Sequence, residues 1–360
     1  MSLRVEQLRT RLREHGLPAM LITKREHIYY LSGFSGSAGA LIVTDDALLL
    51  ISDFRYVLQS AQEAPAWRFI RADEALPKTI RQVLGTLPLT AIGFEPDDLS
   101  VAWYRELGGD EPTPSIALRP VAGLIEALRL VKDAEELACI REAARITDLA
   151  YAHLTSMVKP GITERSLALK AEWAMRHHGA QGLAFDIIVA TGDHGALPHA
   201  QPGERALQPG DLVVVDMGAR YAHYCADMTR TFAVAEAPPI AQTIYRICAE
   251  AQQTGIAQVA AGMTGREADG IVRAVIEAAG YGDYFGHGTG HGVGLEIHEA
   301  PRLSRTYDGL LPAGATVTIE PGIYLPEVGG VRIEDLVLLT TTGVEVISAA
   351  PKPLDLPVLG

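Results

Sequence analysis

Gly286-His287-Gly288-Thr289-Gly290-His291-Gly292-Val293-Gly294-Leu295-Glu296-Ile297-His298-Glu299 gathers five glycines and three histidines into fourteen residues. Glycine at that density lets backbone and imidazole rings approach a common point closely. The run is no nucleotide loop, because the spacing Gly-x-Gly-x-x-Gly fails at every register and the chain contains no Gly-Lys pair. No Gly-x-Ser-x-Gly elbow of a serine hydrolase occurs either. A lone histidine is ordinarily a hydrogen-bonded structural residue; this cluster leaves a metal-centred reading.

Acids that could share such a metal lie on two expected hairpins. In one, residues 212–219 and 224–234 flank a short turn; in the other, 315–324 and 331–339 flank Gly329-Gly330. Each hairpin carries two carboxylates, Asp216 and Asp227 in the first, Glu320 and Glu334 in the second. Taken singly, an acid near a turn is a solvated surface group. Here Asp216 follows Leu212-Val213-Val214-Val215 and Glu320 follows Val317-Thr318-Ile319, at the ends of apolar strands where a charge is costly without a cation. Four carboxylates and one imidazole suit two divalent ions per chain, Mn, Co or Zn, since four negative charges balance two ions of charge two. Ions roughly 3.5 to 4 Å apart lower the pKa of a bridging water and polarise a carbonyl. The spacing alone therefore reads as a dinuclear hydrolase.

The hairpins close the two copies of a weak internal repeat. Val158-Lys159-Pro160-Gly161-Ile162-Thr163-Glu164-Arg165 resembles Val259-Ala260-Ala261-Gly262-Met263-Thr264-Gly265-Arg266, and Gly179 matches Gly280. In each copy a long helix is expected to end at the glycine (Gly161, Gly262) and a second to start from a threonine N-cap (Thr163, Thr264). Two such halves facing each other would make one curved sheet with helices outside. Upstream, residues 1–120 alternate short apolar runs (19–22, 39–43, 47–51, 91–94) with amphipathic stretches such as 3–15, the pattern of a small α/β domain. Asp133 with Glu136 forms a helix N-cap signature. A domain boundary falls near 121–132, giving domains at 1–125 and 133–355.

At 360 residues, two domains are the prior. Hydrophobic residues at 48% and charged residues at 21% describe an ordered globular chain. The net charge of -13 offers no basic excess to release counterions, which argues against nucleic acid and against an anionic membrane. No apolar run approaches the roughly 20 residues that span a bilayer. The start, Met1-Ser2-Leu3-Arg4-Val5-Glu6, lacks the apolar stretch of a signal peptide. Three widely spaced cysteines, Cys139, Cys225 and Cys248, suggest neither a disulfide framework nor a cysteine zinc site, so a cytoplasmic setting is expected.

At these residues the sequence resembles the aminopeptidase P and prolidase branch of the pita-bread metallopeptidases, which also include methionine aminopeptidases and creatinase. His287 to Glu299 looks like the proline-peptidase signature. Asp216-Met217-Gly218, Asp227-Met228-Thr229-Arg230-Thr231-Phe232, Glu320-Pro321-Gly322 and Val331-Arg332-Ile333-Glu334-Asp335 look like its remaining motifs in order. The first domain is similar to the ribonuclease-H-like N-terminal domain of the branch through Tyr30-Leu31-Ser32-Gly33 and Asp53-Phe54-Arg55-Tyr56. The expected fold is thus α+β: an N-terminal ribonuclease-H-like α/β domain and a C-terminal pita-bread domain with a pseudo-two-fold repeat.

The resemblance implies that Asp216 binds one metal, that Asp227 and Glu334 bridge or chelate both, and that His291 with Glu320 completes the set of ligands around the second ion. It implies catalytic contacts from His199 and His298 to the scissile group, with Glu320 relaying the proton and a metal-bridging hydroxide attacking the carbonyl before proline. His287 lines the proline side, Phe185 forms part of an apolar substrate pocket, and Arg332, placed with them at the substrate site, reads as a partner that holds carboxylates in place. Short proline-containing peptides are the implied substrates, since the Xaa-Pro bond is a tertiary amide without an N–H. The motifs do not separate an Xaa-Pro dipeptidase from an Xaa-Pro aminopeptidase. A methionine aminopeptidase, or a non-catalytic pita-bread protein binding a partner in the cleft, are the alternatives. A homodimer is expected, with the N-terminal domain restricting the cleft to short peptides; Arg55 there either meets a substrate carboxylate or forms an ion pair within its own subunit.

Overall fold

The computed structural model describes residues 3–111 and 115–360; Met1 and Ser2, at the head of the charged N-terminal stretch, lie outside them. Packing divides the chain between Arg129 and Leu130 into two units.

The first unit runs α1 (Leu3–Glu14), β1 (Ala19–Ile22), α2 (Arg25–Ser32), β2 (Ala40–Thr44), β3 (Leu48–Asp53), α3 (Val57–Glu63), β4 (Arg68–Ala72), α4 (Leu76–Thr86), β5 (Ala91–Phe94), α5 (Val101–Glu106), β6 (Ala117–Pro120) and α6 (Glu126–Arg129). Its strands form one mixed sheet in the order β4-β3-β2-β1-β5-β6. Every residue of β1 and β5 is buried, which is why these strands read as unbroken apolar runs rather than alternating ones. Arg55 closes an ion pair on Asp53, Nε to Oδ1 at 2.9 Å and Nη2 to Oδ2 at 2.7 Å, so the pairing within the subunit is the one present.

The second unit repeats helix, helix, strands. Its first half holds α7 (Ala134–Thr155), α8 (Glu164–His177), β7 (Gly182–Leu183), β8 (Ile188–Thr191), β9 (Leu212–Met217), β10 (Ala219–Tyr221), β11 (Tyr224–Cys225) and β12 (Met228–Val234). The second half holds α9 (Pro239–Gln258), α10 (Gly265–Ala278), β13 (Gly290–Gly292), β14 (Glu299–Leu303), β15 (Thr316–Ile319), β16 (Gly322–Leu325), β17 (Gly329–Arg332), β18 (Asp335–Thr340), β19 (Gly343–Val346) and β20 (Val358–Leu359). Asp133 starts α7 with a capping box: its carboxylate accepts from the Glu135 and Glu136 amides while Glu136 accepts from the Asp133 amide. Thr163 and Thr264 cap α8 and α10.

Three expectations need correction. The long helices stop at Thr155 and Gln258, short of the glycines. Gly161 and Gly262, at φ 87° and 90°, instead turn the chain so that their amides bond Leu207 and Leu311 carbonyls. Gly329 and Gly330 belong to β17 rather than to a turn. They are glycine because a Cβ would meet Gly192 O at 2.6 Å and Gly195 O at 2.1 Å. The strands form a four-stranded sheet, β20-β12-β9-β8, a five-stranded one, β14-β13-β15-β18-β19, and two smaller ones, β11-β10-β7 and β16-β17, rather than one continuous sheet. The first half's helices share an apolar cluster with its sheet through Leu154, Leu167, Met175, Val213, Val215 and Phe232. Ile244, Val272, Ile276, Val317, Ile319 and Val337 do the same in the second. Burying each such side chain contributes about 1.5 to 3 kcal/mol. The Glu334 amide bonds Thr229 O at 3.1 Å, so the sheets meet at the acids.

Candidate metal centre

Asp216 sits near the end of β9, opposite Thr229 of β12 and Ile188 of β8. Asp227 precedes β12 by one residue, Glu320 follows β15, and Glu334 lies between β17 and β18. Each acid thus stands where an apolar strand ends, and four of them converge. His291 is the middle residue of β13, where a register shift against β14 re-aims the side chain. The surrounding glycines are close-approach residues: a Cβ on Gly290 would lie 2.0 Å from Thr318 O, and one on Gly292 2.3 Å from Ala300 O.

The geometry of the donors fits a cation. Asp227, His291 and Glu334 each offer one ligand atom, all within 4.8 Å of one another. His291 Nε2 lies 3.5 Å from Asp227 Oδ2 and 3.4 Å from Glu320 Oε1. Two ligands about 2.1 Å from one tetrahedral ion lie about 3.4 Å apart. Among the described residues, Asp216 Oδ1 and Asp227 Oδ1 are buried oxygens with no hydrogen-bond donor. His291 Nδ1 faces the Gly292 carbonyl at 3.1 Å; a carbonyl only accepts, so Nδ1 carries the proton and Nε2 keeps its lone pair for a ligand role.

Electrostatics agree. Burial, then the Glu334, Asp216 and Glu320 charges, hold Asp227 well above the carboxylate range. Burial and the Glu320 and Asp216 charges do the same to Glu334, and burial with Asp216 pushes Glu320 up to about 7. Burial, aided by neighbouring His298, takes His291 down to about 3, so it is neutral. Clustered acids that repel one another and a neutral imidazole are what a divalent ion would relieve.

A cavity of about 650 Å³ is lined by all ten residues singled out in the sequence: Phe185, His199, Asp216, Asp227, His287, His291, His298, Glu320, Arg332 and Glu334. His199 and His298 are exposed there. Arg332 is buried; it donates to Asp216 Oδ2 at 2.6 Å, Tyr324 Oη at 2.8 Å, Thr229 Oγ1 at 3.0 Å and Pro198 O at 3.3 Å. His287 Nδ1 donates to Gly288 O at 2.8 Å, so its Nε2 accepts from the Tyr324 hydroxyl at 2.9 Å.

Residues 138–341 match the family described as metallopeptidase family M24, and residues 4–131 match the creatinase/prolidase N-terminal domain. The chain belongs to metallopeptidase family M24. It is 37% identical over 357 residues to an Xaa-Pro dipeptidase of Pyrococcus furiosus, covering 98% of this chain and 100% of the relative. Among solved structures it is similar to an Xaa-Pro dipeptidase from Bacillus anthracis, with TM-score 0.95, 40% identity and 99% of each chain covered. An X-Pro aminopeptidase from Thermotoga maritima aligns with TM-score 0.89 and 33% identity over 97% of this chain and 100% of that one. The architecture is therefore the two-domain pita-bread fold, and the protein is a metallopeptidase.

This metallopeptidase also uses residues that sequence reasoning passed over. Asp269 and Arg273 form a buried pair on α10, Nε to Oδ2 at 2.7 Å. Asp269 accepts from the Thr289 amide and hydroxyl, and Arg273 donates to Phe285 O and His287 O, so the pair grips the glycine-rich run from behind. Their i,i+4 spacing on an amphipathic helix was the available signal. Arg302 lines the cavity from β14, directly opposite His291 of β13, is exposed, and has no ion-pair partner among the described residues.

Proposed function

We propose that this chain hydrolyses the Xaa-Pro bond of short peptides and acts chiefly as an Xaa-Pro dipeptidase. One observation carries the choice: an unpaired arginine, Arg302, shares the cavity with the acid and histidine cluster. A dipeptide ends in a carboxylate one residue after the scissile carbonyl, and a guanidinium there would recognise it with paired charged hydrogen bonds. A longer peptide has no charge at that place. The dipeptidases of Pyrococcus furiosus and Bacillus anthracis favour this reading, while the Thermotoga maritima aminopeptidase keeps the second one open.

In this reading Asp216, Asp227, His291, Glu320 and Glu334 would hold two divalent ions, with Asp227 and Glu334 reaching both. When bound, such a pair supplies a water of lowered pKa and polarises the carbonyl. Arg332 keeps Asp216 turned toward its ligand role. Glu320 accepts a proton from the attacking water and returns it to the leaving proline nitrogen; Oε1 takes a bond from Thr318, leaving Oε2 for the proton. His298, whose partly desolvated ring sits below the usual imidazole range, donates an N–H to the developing oxyanion together with His199. Phe185 and the His287 ring, fixed by Tyr324, offer apolar faces to the proline ring. Homodimer formation belongs to the same proposal.

Kinetics on Gly-Pro-type dipeptides against Xaa-Pro-Xaa tripeptides test it. Wild type is expected to prefer dipeptides, and Arg302→Ala to lose about 10 to 100-fold in kcat/KM on dipeptides while tripeptide turnover changes little. Equal losses on both would remove Arg302 from specificity, and a tripeptide preference in wild type would make the chain an aminopeptidase.

A further inference from the structure

His199 stands in the segment 192–202, which leaves the end of β8 and returns at Gly203. Both ends of that segment are held by one carboxylate. Glu164, the first residue of α8, is fully buried. Its Oε1 accepts from the Thr191 amide at 2.8 Å, and its Oε2 from the Gly203 amide at 2.9 Å. His194 Nδ1, inside the segment, donates to both oxygens at 2.9 and 3.0 Å. The adjoining backbone repeats the grip, since the Glu164 amide bonds Arg205 O and the Arg165 amide bonds Gly203 O.

Burying a carboxylate is costly, and three convergent donors make this one rigid in return. Glu164 is not among the residues that line the cavity. The middle of the segment is tied from the other side, where Pro198 O accepts from Arg332, the residue that also holds Asp216. His199, next to Pro198, is therefore suspended between a clamp at its ends and a tie to the metal acids. A displacement of about 1 Å in such a group lowers rates about a hundredfold. We infer that Glu164 is a positioning residue that sets His199 in the cleft through the segment 192–202. The inference rests on the role given to His199 above.

Glu164→Gln keeps the volume but replaces one acceptor oxygen with an amide that points a donor at the Thr191 or Gly203 N–H. The test is a cycle of wild type, Glu164→Gln, His199→Ala and the double variant, each loaded with Mn, with kcat, KM and bound metal measured on Gly-Pro and on an Xaa-Pro-Xaa peptide. Glu164→Gln alone is expected to lower kcat about 10 to 100-fold with wild-type metal content, and KM is expected to stay within about twofold. In the His199→Ala background its effect should shrink to less than about twofold. Losses that multiply, or a loss of metal in Glu164→Gln, would overturn the inference. If Glu164→Gln does not fold, His194→Ala removes one donor of the clamp. Its smaller loss should likewise vanish in the His199→Ala background, and persistence there overturns the inference. A fully active His199→Ala would withdraw the role of His199 and this inference together, whereas multiplying losses with an impaired His199→Ala remove only the clamp.

Discussion

His291 offers a lone pair into the acid cluster because the Gly292 carbonyl keeps the proton on the other ring nitrogen. His291→Ala is accordingly expected to abolish activity by weakening metal binding; metal analysis of the variant checks this, and full activity at normal metal content would end the assignment. Glu320 gives a pH prediction whose sign can be worked out. In the metal-free fold its pKa, about 7, lies above the ordinary 4.5, so protonation favours the folded state. That stabilisation is complete below about 4.5 and is lost as pH rises through about 7. A bound cation replaces the proton and reverses the dependence. The gap in Tm between metal-loaded and metal-free protein should therefore widen from pH 5 to pH 8, and a constant gap would contradict it. The acids of the cluster were legible because acids at the ends of apolar strands are anomalous in one dimension. Arg302 was not, since its place depends on the pairing of β13 with β14 across a register shift.

Among the elements, β13 shows how a strand is fitted around a site. Gly290 lets the strand lie against Thr318 O, where a methyl group would be 2.0 Å away. Gly290→Ala should push β13 off β15, destabilising the fold by the order of 3 kcal/mol, as overpacking does, and lowering metal affinity; denaturant melts with metal titration would show it, and a wild-type melt would refute it. Helix starts were readable from Asp133, Thr163 and Thr264, because a cap is a local bargain between one side chain and the next amides. Helix ends were not, since Gly161 and Gly262 answer to carbonyls of Leu207 and Leu311 far along the chain. Gly329-Gly330 misled for the same reason: their glycine character serves a neighbouring backbone, not a turn.

For the molecule as a whole, no helix among the described residues is long and apolar enough to cross a membrane. A homodimer is the proposed assembly, and light scattering coupled to size exclusion would show a doubled mass; a monomer at micromolar concentration would sink it. The pseudo-two-fold repeat was legible from five matched positions, while the division into separate sheets was not, because only the tertiary pairing decides where a strand ladder breaks. β20 lies in parallel beside β12, Val358 opposite Ala233, about 125 residues downstream. The edge of the sheet that carries Asp216 therefore stays open while the ribosome makes the entire second half. An uncovered strand edge is a template for other chains, and such distant pairing forms slowly. Each nascent copy thus passes through an interval in which a neighbouring polypeptide can take the place reserved for β20, so the burden on chaperones falls at translation rather than in the finished enzyme.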